Sequence, residues 1–310
     1  MSKIIDFRGV KIYKNQADSL IKLENQLGFK LLDQTSKPFN KMGYRITDNN
    51  VSALHLVNCI IKEFPSALSN LRKLNKLDIY GTNLDFIPSL IGNLSNLETL
   101  LLDNNNLKSL PDSIGSLKNL KKISLSNNNL SQLPKSFKNL HSLEKLSLMD
   151  NNFKQFPKII IILKNLKSLT LGNNSLTSLP QSLKNLHSLE YLSLGNNKIS
   201  FFPETIGDLS SLEQLWAYGN NLVSLPDSIG NLKNLKILNL YENRLDSLPD
   251  TIRCLKNLKK LNIAGNNLYE FPECLKLLPK LNHVSVDDDL HTRFPSDISD
   301  LRKKNINVLY

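Results

Sequence analysis

The chain has 310 residues, of which 40% are hydrophobic and 22% charged, and its formal net charge is +11. This is the composition of a folded globular protein and argues against extensive disorder. No stretch is apolar for long enough to span a bilayer, and the opening MSKIIDFRGVKIYKNQ interleaves charges with short apolar runs, unlike a secretory signal. We therefore expect a cytoplasmic protein whose positive charge favours acidic partners without identifying a site.

The first fifty residues differ in pattern from the rest of the chain, and we predict that residues 1–50 form a capping region. Residues 15–28 carry apolar side chains at helical spacing, and Gly28 can end the helix. These apolar residues are Leu20, Ile21, Leu23 and Leu27, with Ile21 broadening the stripe. An Asp-Asn-Asn turn at residues 48–50 predicts that residues 44–47 pair antiparallel with the strand that follows.

From residue 51 the sequence repeats every 23 residues without insertion or deletion, which gives eleven units over residues 51–303. A fixed period of this length indicates stacked structural units that share one core. Positions four and six of each unit are apolar, which predicts a short strand with these side chains inward. Position nine is asparagine in eight consecutive units, and its amide can bridge the backbones of adjacent turns. Position fifteen is always proline and is followed by two apolar residues at helical spacing, which predicts a short helix or 3-10 turn.

The consensus LxxLxLxxNxLxxLPxxIxxLxx resembles that of leucine-rich repeat proteins. The sequence LPDSIGNLKNL at residues 225–235 is most similar to the repeats of the intracellular 23-residue class. This class includes Scribble-like, Erbin-like and Ras-suppressor-like proteins and the plant intracellular Ras-group-related repeats. The resemblance implies an α/β solenoid, a leucine-rich repeat horseshoe with a parallel concave β-sheet and short helices or 3-10 turns on the convex side. It also implies scaffolding or small-GTPase-linked signalling.

The last residues, 304–310, begin another alternating pattern at INVLY. Neither a cysteine-rich nor a helical cap is recognisable in the sequence at this end. We therefore predict a terminal edge strand whose outer side is open to pairing.

Residues that commonly carry catalysis do not converge in this pattern. The five histidines fall on different faces or in distant repeats, so no nucleophile, base and orienting acid can meet, and no phosphate-binding loop motif occurs. The DDDLH stretch at residues 287–291 contains Asp289 at position nine, which favours a structural role over cation binding. Three scattered cysteines fit neither a disulfide framework nor a zinc site and suit a reducing compartment. We predict no enzymatic activity, no metal and no cofactor.

Basic residues at positions two and twenty-two line one edge of the predicted sheet. They are Arg72, Lys118, Lys121, Lys164, Lys167, Lys233, Lys236, Lys256, Lys259 and Arg302. Glutamate interrupts position two in four units, and no aromatic residues interleave as they do in nucleic-acid grooves. We expect a solvated edge, so nucleic acid and membrane are not the expected partners. A basic docking module for nucleic acid or anionic membrane remains an alternative function.

The run KIIIILKNL at residues 158–166 holds more apolar side chains than the repeat requires. Only Ile160 and Leu163 belong to the repeated core pattern, so Ile159, Ile161 and Ile162 are surplus. Clustered exposed apolar residues often mark a contact surface, although a lengthened helix that buries one or two of them is an equal alternative. We predict a secondary interface here and a monomer or weak homodimer. With the terminal strand, the run also allows a self-assembling structural protein.

Positions three, five, seven and eight project from the concave side of the predicted strands. Position five is serine, threonine or asparagine in seven of the eleven units, and Trp216 is the large exception. Tryptophan and tyrosine dominate binding hot spots, and we expect the aromatic rings around Trp216 to touch one another. The alternative is a sheet-stabilising cluster in which Trp216 leans over the space left by Ala217. The predicted partner-binding residues are Tyr191, Gln214, Trp216, Tyr218, Ile237, Asn239, Tyr241 and Glu242. The sequence thus predicts a non-catalytic protein-interaction module.

Overall fold

The computed structural model describes residues 3–35, 42–61 and 63–310. The chain divides into two compact units, Met1–Asn151 and Asn152–Tyr310. The boundary follows the position-nine asparagine of the fifth repeat. Each unit therefore contains several of the 23-residue repeats together with sequence that flanks them.

The first unit opens with an antiparallel hairpin that the sequence pattern did not reveal. Its strands are β1 (Ile4–Phe7) and β2 (Val10–Tyr13). Arg8 and Gly9 form the turn, both with positive φ angles, 57° and 86°. The Arg8 guanidinium donates two hydrogen bonds, of 2.6 and 2.7 Å, to the buried carboxylate of Glu24. This bidentate pair fastens the hairpin to the helix that follows it.

Helix α1 (Lys14–Leu27) follows the hairpin directly and packs against the first repeat. It ends at Gly28, whose φ of 77° is a left-handed conformation that glycine adopts without a steric penalty. Leu20 and Leu23 are fully buried, whereas Ile21 is 43% exposed. The prediction that Ile21 broadens the apolar stripe is wrong, because one residue along an α-helix is a rotation of about 100°, which turns Ile21 towards solvent.

In the described residues of the first unit, the main sheet has seven strands. They are β3 (Leu32–Asp33), β4 (Gly43–Thr47), β5 (Asn50–Val57), β6 (Lys76–Tyr80), β7 (Thr99–Leu101), β8 (Lys122–Ser124) and β9 (Lys145–Ser147). Strands β4 and β5 are antiparallel, and the other neighbouring pairs are parallel. Short 3-10 helices return the chain between repeats, at Ser66–Asn70, Ser89–Asn93, Asp112–Ser116 and Lys135–Asn139.

The second unit contains seven parallel strands. They are β10 (Ser168–Thr170), β11 (Tyr191–Ser193), β12 (Gln214–Trp216), β13 (Ile237–Asn239), β14 (Lys260–Asn262), β15 (His283–Ser285) and β16 (Asn307–Leu309). The 3-10 helices are Lys158–Ile162, Gln181–Asn185, Glu204–Asp208, Asp227–Asn231, Asp250–Cys254 and Glu273–Leu277. Parallel strands that alternate with 3-10 returns confirm the predicted α/β solenoid fold class.

The position-nine asparagines tie successive turns together. Asn197 Nδ2 donates hydrogen bonds to the carbonyl oxygens of Leu171 (3.0 Å) and Leu194 (2.9 Å). Its Oδ1 accepts a hydrogen bond from the backbone N–H of Leu176 at 2.9 Å. One buried amide thereby satisfies backbone groups that the turn leaves unpaired. The predicted bridging role is confirmed.

The eleventh repeat departs from the pattern, and the sequence did not reveal how. In place of a 3-10 helix it has two α-helices, α2 (Asp288–Arg293) and α3 (Pro295–Lys303). Its position-nine residue is Asp289, which forms an ion pair with Arg293 at 3.0 Å. A carboxylate cannot donate hydrogen bonds to carbonyl oxygens as an amide does, so the asparagine ladder ends one repeat earlier, at Asn266.

Candidate functional site

The predicted partner-binding residues all lie in the second unit, on or directly after the adjacent strands β11, β12 and β13. Pairing one repeat apart sets Tyr191, Gln214 and Ile237 in one row and Trp216 beside Asn239 in the next. Side chains alternate along a strand, so both rows point away from the buried leucines. We call this outward side of β10 to β15 the strand face.

Trp216 lies half-buried on the strand face. Its indole Nε1 donates a hydrogen bond to Gln214 Oε1 at 3.2 Å, which fixes the ring on the side of the strand where Gln214 points. Ala217, the next residue, is fully buried. The indole and the core space beside Ala217 are therefore on opposite sides of the same strand.

The ring of Tyr218 covers Gly195 of the preceding repeat. A Cβ atom on Gly195 would lie 2.4 Å from Cε1 and Cζ of that ring, far closer than atoms approach one another. The φ angle of Gly195 is not positive, so its backbone conformation does not require glycine. Glycine is required here because the Tyr218 ring lies above it. A Cβ atom on Gly172, one repeat earlier, would have the Gly195 carbonyl oxygen as its nearest neighbour, at 3.2 Å. Two successive repeats thus have no side chain at this position, and the Tyr218 ring fills the space over Gly195.

The four aromatic residues of the site are held separately. Among the described residues, no ring contact joins Tyr191, Trp216, Tyr218 or Tyr241, so the expectation that these rings touch one another is wrong. Tyr218 packs over Gly195, whereas the Trp216 indole is hydrogen-bonded to Gln214, so these two rings have different neighbours. Burial raises the pKa of the Tyr191 phenol.

Tyr241 and Glu242 form the exposed end of the site. Tyr241 is 39% exposed, and its backbone N–H donates a hydrogen bond to Asn239 Oδ1 at 3.1 Å. The neighbouring Glu242 carboxylate raises the pKa of the Tyr241 phenol.

Glu242 has an unusual backbone conformation for its residue type. Its φ is 51°, in the left-handed region, where a side chain longer than that of asparagine or aspartate is disfavoured. The residues at the same position of the other units with positive φ are Asn58, Gly81, Asn104, Asn127, Asp150, Asn173, Asn196, Gly219 and Gly265. The sequence carried this signal, since position eight is asparagine, aspartate or glycine in every other unit.

The carboxylates around the site differ in their partners. Glu213 forms an ion pair with Lys236 at 2.6 Å. Glu190, which precedes Tyr191, is exposed, and no basic residue of the described chain forms an ion pair with it. Lys260 lies next to Ile237 in the outward row and is exposed. The aromatic residues are therefore flanked by carboxylates that lysine neutralises only in part.

The isoleucine run occupies the 3-10 helix Lys158–Ile162, which has the same five-residue length as the other 3-10 helices. Ile160 is fully buried and Ile162 is 43% exposed. Ile159 and Ile161 are each half-buried. The structure therefore places all three surplus isoleucines at the surface of the second unit, to different extents.

The other candidate groups take part in the fold. Asp287 Oδ1 accepts a hydrogen bond from the Gly265 N–H at 2.6 Å, and the described part of the chain has no group of His, Cys, Asp and Glu able to hold a metal ion. Two lysines of the predicted basic edge form ion pairs, Lys121 with Glu98 at 3.0 Å and Lys236 with Glu213. All three cysteines are free thiols.

The described helices include none long and apolar enough to cross a membrane.

Comparison with protein-family models gives matches over the middle of the chain. Residues 111–217 match the model of a leucine-rich repeat region. Residues 218–268 and 96–117 match two models of the leucine-rich repeat. Together these matches span residues 96–268, more than half of the chain. No match was found among curated protein sequences.

Similar solved structures come from plants and bacteria. One is the ectodomain of the Arabidopsis thaliana membrane receptor kinase GASSHO1/SCHENGEN3 in complex with CASPARIAN STRIP INTEGRITY FACTOR 2 (28% identity, TM-score 0.70, 79% of this chain and 31% of that one). Another is the plant peptide hormone receptor RGFR1 in complex with RGF2 (32%, 0.68, 79% and 42%). An internalin of Listeria monocytogenes (19%, 0.66, 95% and 88%) shares the fold. The chain spans less than half the length of either plant receptor.

Proposed function

Because the chain is a leucine-rich repeat protein, we propose that it is a non-catalytic interaction module that binds a protein partner on the strand face of its second unit. Proteins of this fold are typically non-catalytic interaction modules. Two similar plant receptors are in complex with named partners. The observation that carries the proposal is the half-exposed Trp216 on a strand face whose flanking residues in the same row are Ser193 and Asn239.

The binding surface follows from how aromatic residues contribute to interfaces. Trp216, Tyr218 and Tyr241 each offer a large apolar area with one hydrogen-bonding group and few rotatable bonds, the properties of hot-spot residues. Gln214 already orients the indole, so a partner meets a ring that has lost much of its rotational freedom. Residues Tyr191, Ile237, Asn239 and Glu242 complete the proposed contact surface.

The wider role rests on the family resemblance. We assign the binding surface to the repeats at 51–303, flanked by the capping region 1–50 and the edge strand 304–310. The protein then acts as a cytoplasmic scaffold in small-GTPase-linked signalling, as the resemblance of residues 225–235 suggests, and as a monomer or weak homodimer. Free thiols at Cys59, Cys254 and Cys274 suit a reducing compartment.

Affinity capture tests the binding proposal. Wild type and a Trp216→Ala, Tyr241→Ala variant are used as baits, and a protein that the wild type captures is expected to be lost from the variant. With that partner, calorimetry should give a loss of roughly 2–4 kcal/mol for Trp216→Ala alone. Phe201, which is 59% exposed outside the predicted contact surface, supplies the matched control. Equal losses for Phe201→Ala and Trp216→Ala contradict the proposal.

The rival function, docking on nucleic acid or anionic membrane, makes an opposite prediction about salt. A basic edge that neutralises phosphates loses affinity steeply as ionic strength rises. We expect no such salt-dependent binding to duplex DNA or to vesicles with acidic lipids, since Lys236 and Lys121 are already paired with glutamates. Strong binding that salt abolishes favours the rival.

We also propose the isoleucine run as a secondary interface, because Ile162 exposes an apolar side chain beside the half-buried Ile159 and Ile161. Replacing all three with serine is expected to reduce self-association in sedimentation experiments at high protein concentration. The fold should persist, since Ile160 and Leu163 supply the buried contacts of this turn. An unchanged mass distribution rules out both this interface and self-assembly through it.

A further inference from the structure

Strands β14 and β15 continue the strand face beyond the aromatic residues, and their outward side chains are groups that can donate hydrogen bonds. Lys260 pairs with His283 in the first outward row, and Asn262 pairs with Ser285 in the second. Paired residues on neighbouring strands lie about 5 Å apart, and residues two apart along a strand about 7 Å. The four side chains therefore surround one small area, which we call the donor patch.

The donors of this patch are not used by the described chain. Asn262 Oδ1 accepts a hydrogen bond from the Ala264 N–H at 3.1 Å, whereas its Nδ2 has no partner among the described residues. In the asparagine ladder, by contrast, Asn197 Nδ2 donates to two carbonyl oxygens. Lys260 is exposed and pairs with no described carboxylate, and the Ser285 hydroxyl has no hydrogen-bond partner there either. These groups are free to bind an external acceptor.

The donor patch contains a positive charge and no carboxylate. The first carboxylate after β15 is that of Asp287, and it is held by the turn after β14. Its two oxygens accept hydrogen bonds from the backbone N–H groups of Gly265 (2.6 Å) and Asn266 (3.4 Å). Lys259, which precedes Lys260, is exposed and forms no ion pair within the described chain. The charge of the patch therefore favours an anionic group.

We propose that the donor patch receives an acidic side chain of the partner, an aspartate or a glutamate. This inference rests on the proposed function and names the chemistry of its partner. Ile237 pairs with Lys260, and Asn239 pairs with Asn262, so the donor patch is continuous with the proposed contact surface. A carboxylate accepts several hydrogen bonds, and those from an ammonium group are charge-assisted. One bound carboxylate can thus use the ammonium and the amide together.

The row that contains Lys260 suits one acidic group better than a chain of phosphates. Ile237 precedes Lys260 in this row, and Asn307 follows His283. A nucleic-acid backbone carries a charge on every nucleotide and is bound by several cations in succession. One lysine beside one imidazole, with uncharged residues on both sides, matches a single carboxylate.

A labelled, amidated hexa-glutamate peptide is the probe, and fluorescence anisotropy measures its binding. The ionic strength is about 0.15 M, where a Debye length of about 8 Å limits attraction by the net charge of the protein. We expect saturable binding, and at least about tenfold weaker binding of hexa-glutamine, the uncharged isostere. Single-stranded hexathymidylate should compete more weakly than unlabelled hexa-glutamate. Absent binding, equal binding of hexa-glutamine, or stronger competition by hexathymidylate overturns the inference.

Two variants with the same change of charge separate local recognition from general attraction. Asn262→Asp places a carboxylate in the donor patch and keeps an oxygen for the Ala264 N–H. The affinity for hexa-glutamate should fall about tenfold while the melting temperature is retained. Asn267→Asp, at an exposed residue of the same repeat outside the strands, should change the affinity less than about twofold. A similar loss in both variants assigns the binding to net charge and contradicts the inference.

A second matched pair tests the lysine. Lys260→Gln should weaken hexa-glutamate binding about threefold, the size expected for one exposed charge pair. Lys145 is also exposed in the corresponding position of its repeat, in the first unit, and Lys145→Gln should leave the affinity unchanged. An affinity that Lys260→Gln does not lower, or that both variants lower equally, counts against the donor patch.

The two proposals fail in distinguishable ways. If the variant Trp216→Ala, Tyr241→Ala loses the captured partner while Asn262→Asp binds hexa-glutamate as well as wild type does, the proposed function stands and the inference falls. If that double variant captures the partner as well as wild type does, the proposed function falls, whatever the peptide shows.

Discussion

Along β11, β12 and β13 the central residues that point inward are Leu192, Leu215 and Leu238, whereas the outward residues that follow them are Ser193, Trp216 and Asn239. The two sets share the same strands and the same pairing, one residue apart. The inward leucines are all fully buried against neighbouring repeats, and close packing restricts the size and shape of the side chain at these positions. The outward residues meet few such limits, so a large side chain there reflects something other than the repeated core.

The same contrast changes how an exception is interpreted. Ala217 replaces a larger apolar residue on the inward side, where the change affects packing between adjacent turns. Glu242 replaces asparagine or glycine at the outward rim, where the cost lies in local backbone conformation. An inward exception therefore affects stability first, and an outward exception points to binding. Three experiments test this division.

The largest expected effect is at Leu171, an inward residue that is fully buried. Leu171→Ala should lower the free energy of unfolding by roughly 2–5 kcal/mol, because it opens a cavity between adjacent turns. Thr170, one residue earlier, is half-buried on the strand face, and Thr170→Ala should cost less than about 1 kcal/mol. Denaturant titration of both variants measures the difference. Equal losses contradict the assignment of inward and outward residues.

A smaller effect is expected in the asparagine ladder, where two neighbouring asparagines provide a matched pair. Asn197→Asp removes the donors to the carbonyl oxygens of Leu171 and Leu194 and should cost roughly 1–3 kcal/mol of unfolding free energy. Asn196 is exposed in a left-handed turn that aspartate also tolerates, as Asp150 shows. Asn196→Asp should therefore cost less than about 1 kcal/mol by the same titration. A reversed order argues that the ladder is not a structural support.

The repeats were predictable because the residues that pack in the core recur at a fixed period. A leucine, an asparagine and a proline recur at fixed positions, so the strand, the ladder and the 3-10 return follow from the spacing. The hairpin β1–β2 was not predictable in this way. Its contact with the rest of the unit depends on Arg8 and Glu24, which are sixteen residues apart with no pattern between them. Helices α2 and α3 lie in the eleventh repeat, which keeps the period, so the spacing gave no sign of them.

The candidate site was predictable in its rows but not in its contacts. Period and strand alternation place Tyr191, Gln214 and Trp216 on one face without any knowledge of their rotamers. That Tyr218 covers Gly195 depends on side-chain torsions, which the sequence leaves open. The left-handed turn at Glu242 was readable, because nine other units place a residue with positive φ at that position.

The smallest expected effect is also the one that most directly divides binding from folding. Trp216 is the last residue of β12 and Ala217 follows it, and their side chains point to opposite sides of the sheet. Trp216→Ala should therefore change the free energy of unfolding by less than about 1 kcal/mol. If the indole instead compensated for the small side chain of Ala217, restoring leucine there would relieve the loss. A double-mutant cycle of Trp216→Ala and Ala217→Leu measures this coupling whatever Ala217→Leu does alone. Residues that support one another couple by about 0.5–3 kcal/mol, and we expect less than about 0.5 kcal/mol here. A larger coupling assigns Trp216 to the fold and removes the main support for the binding surface.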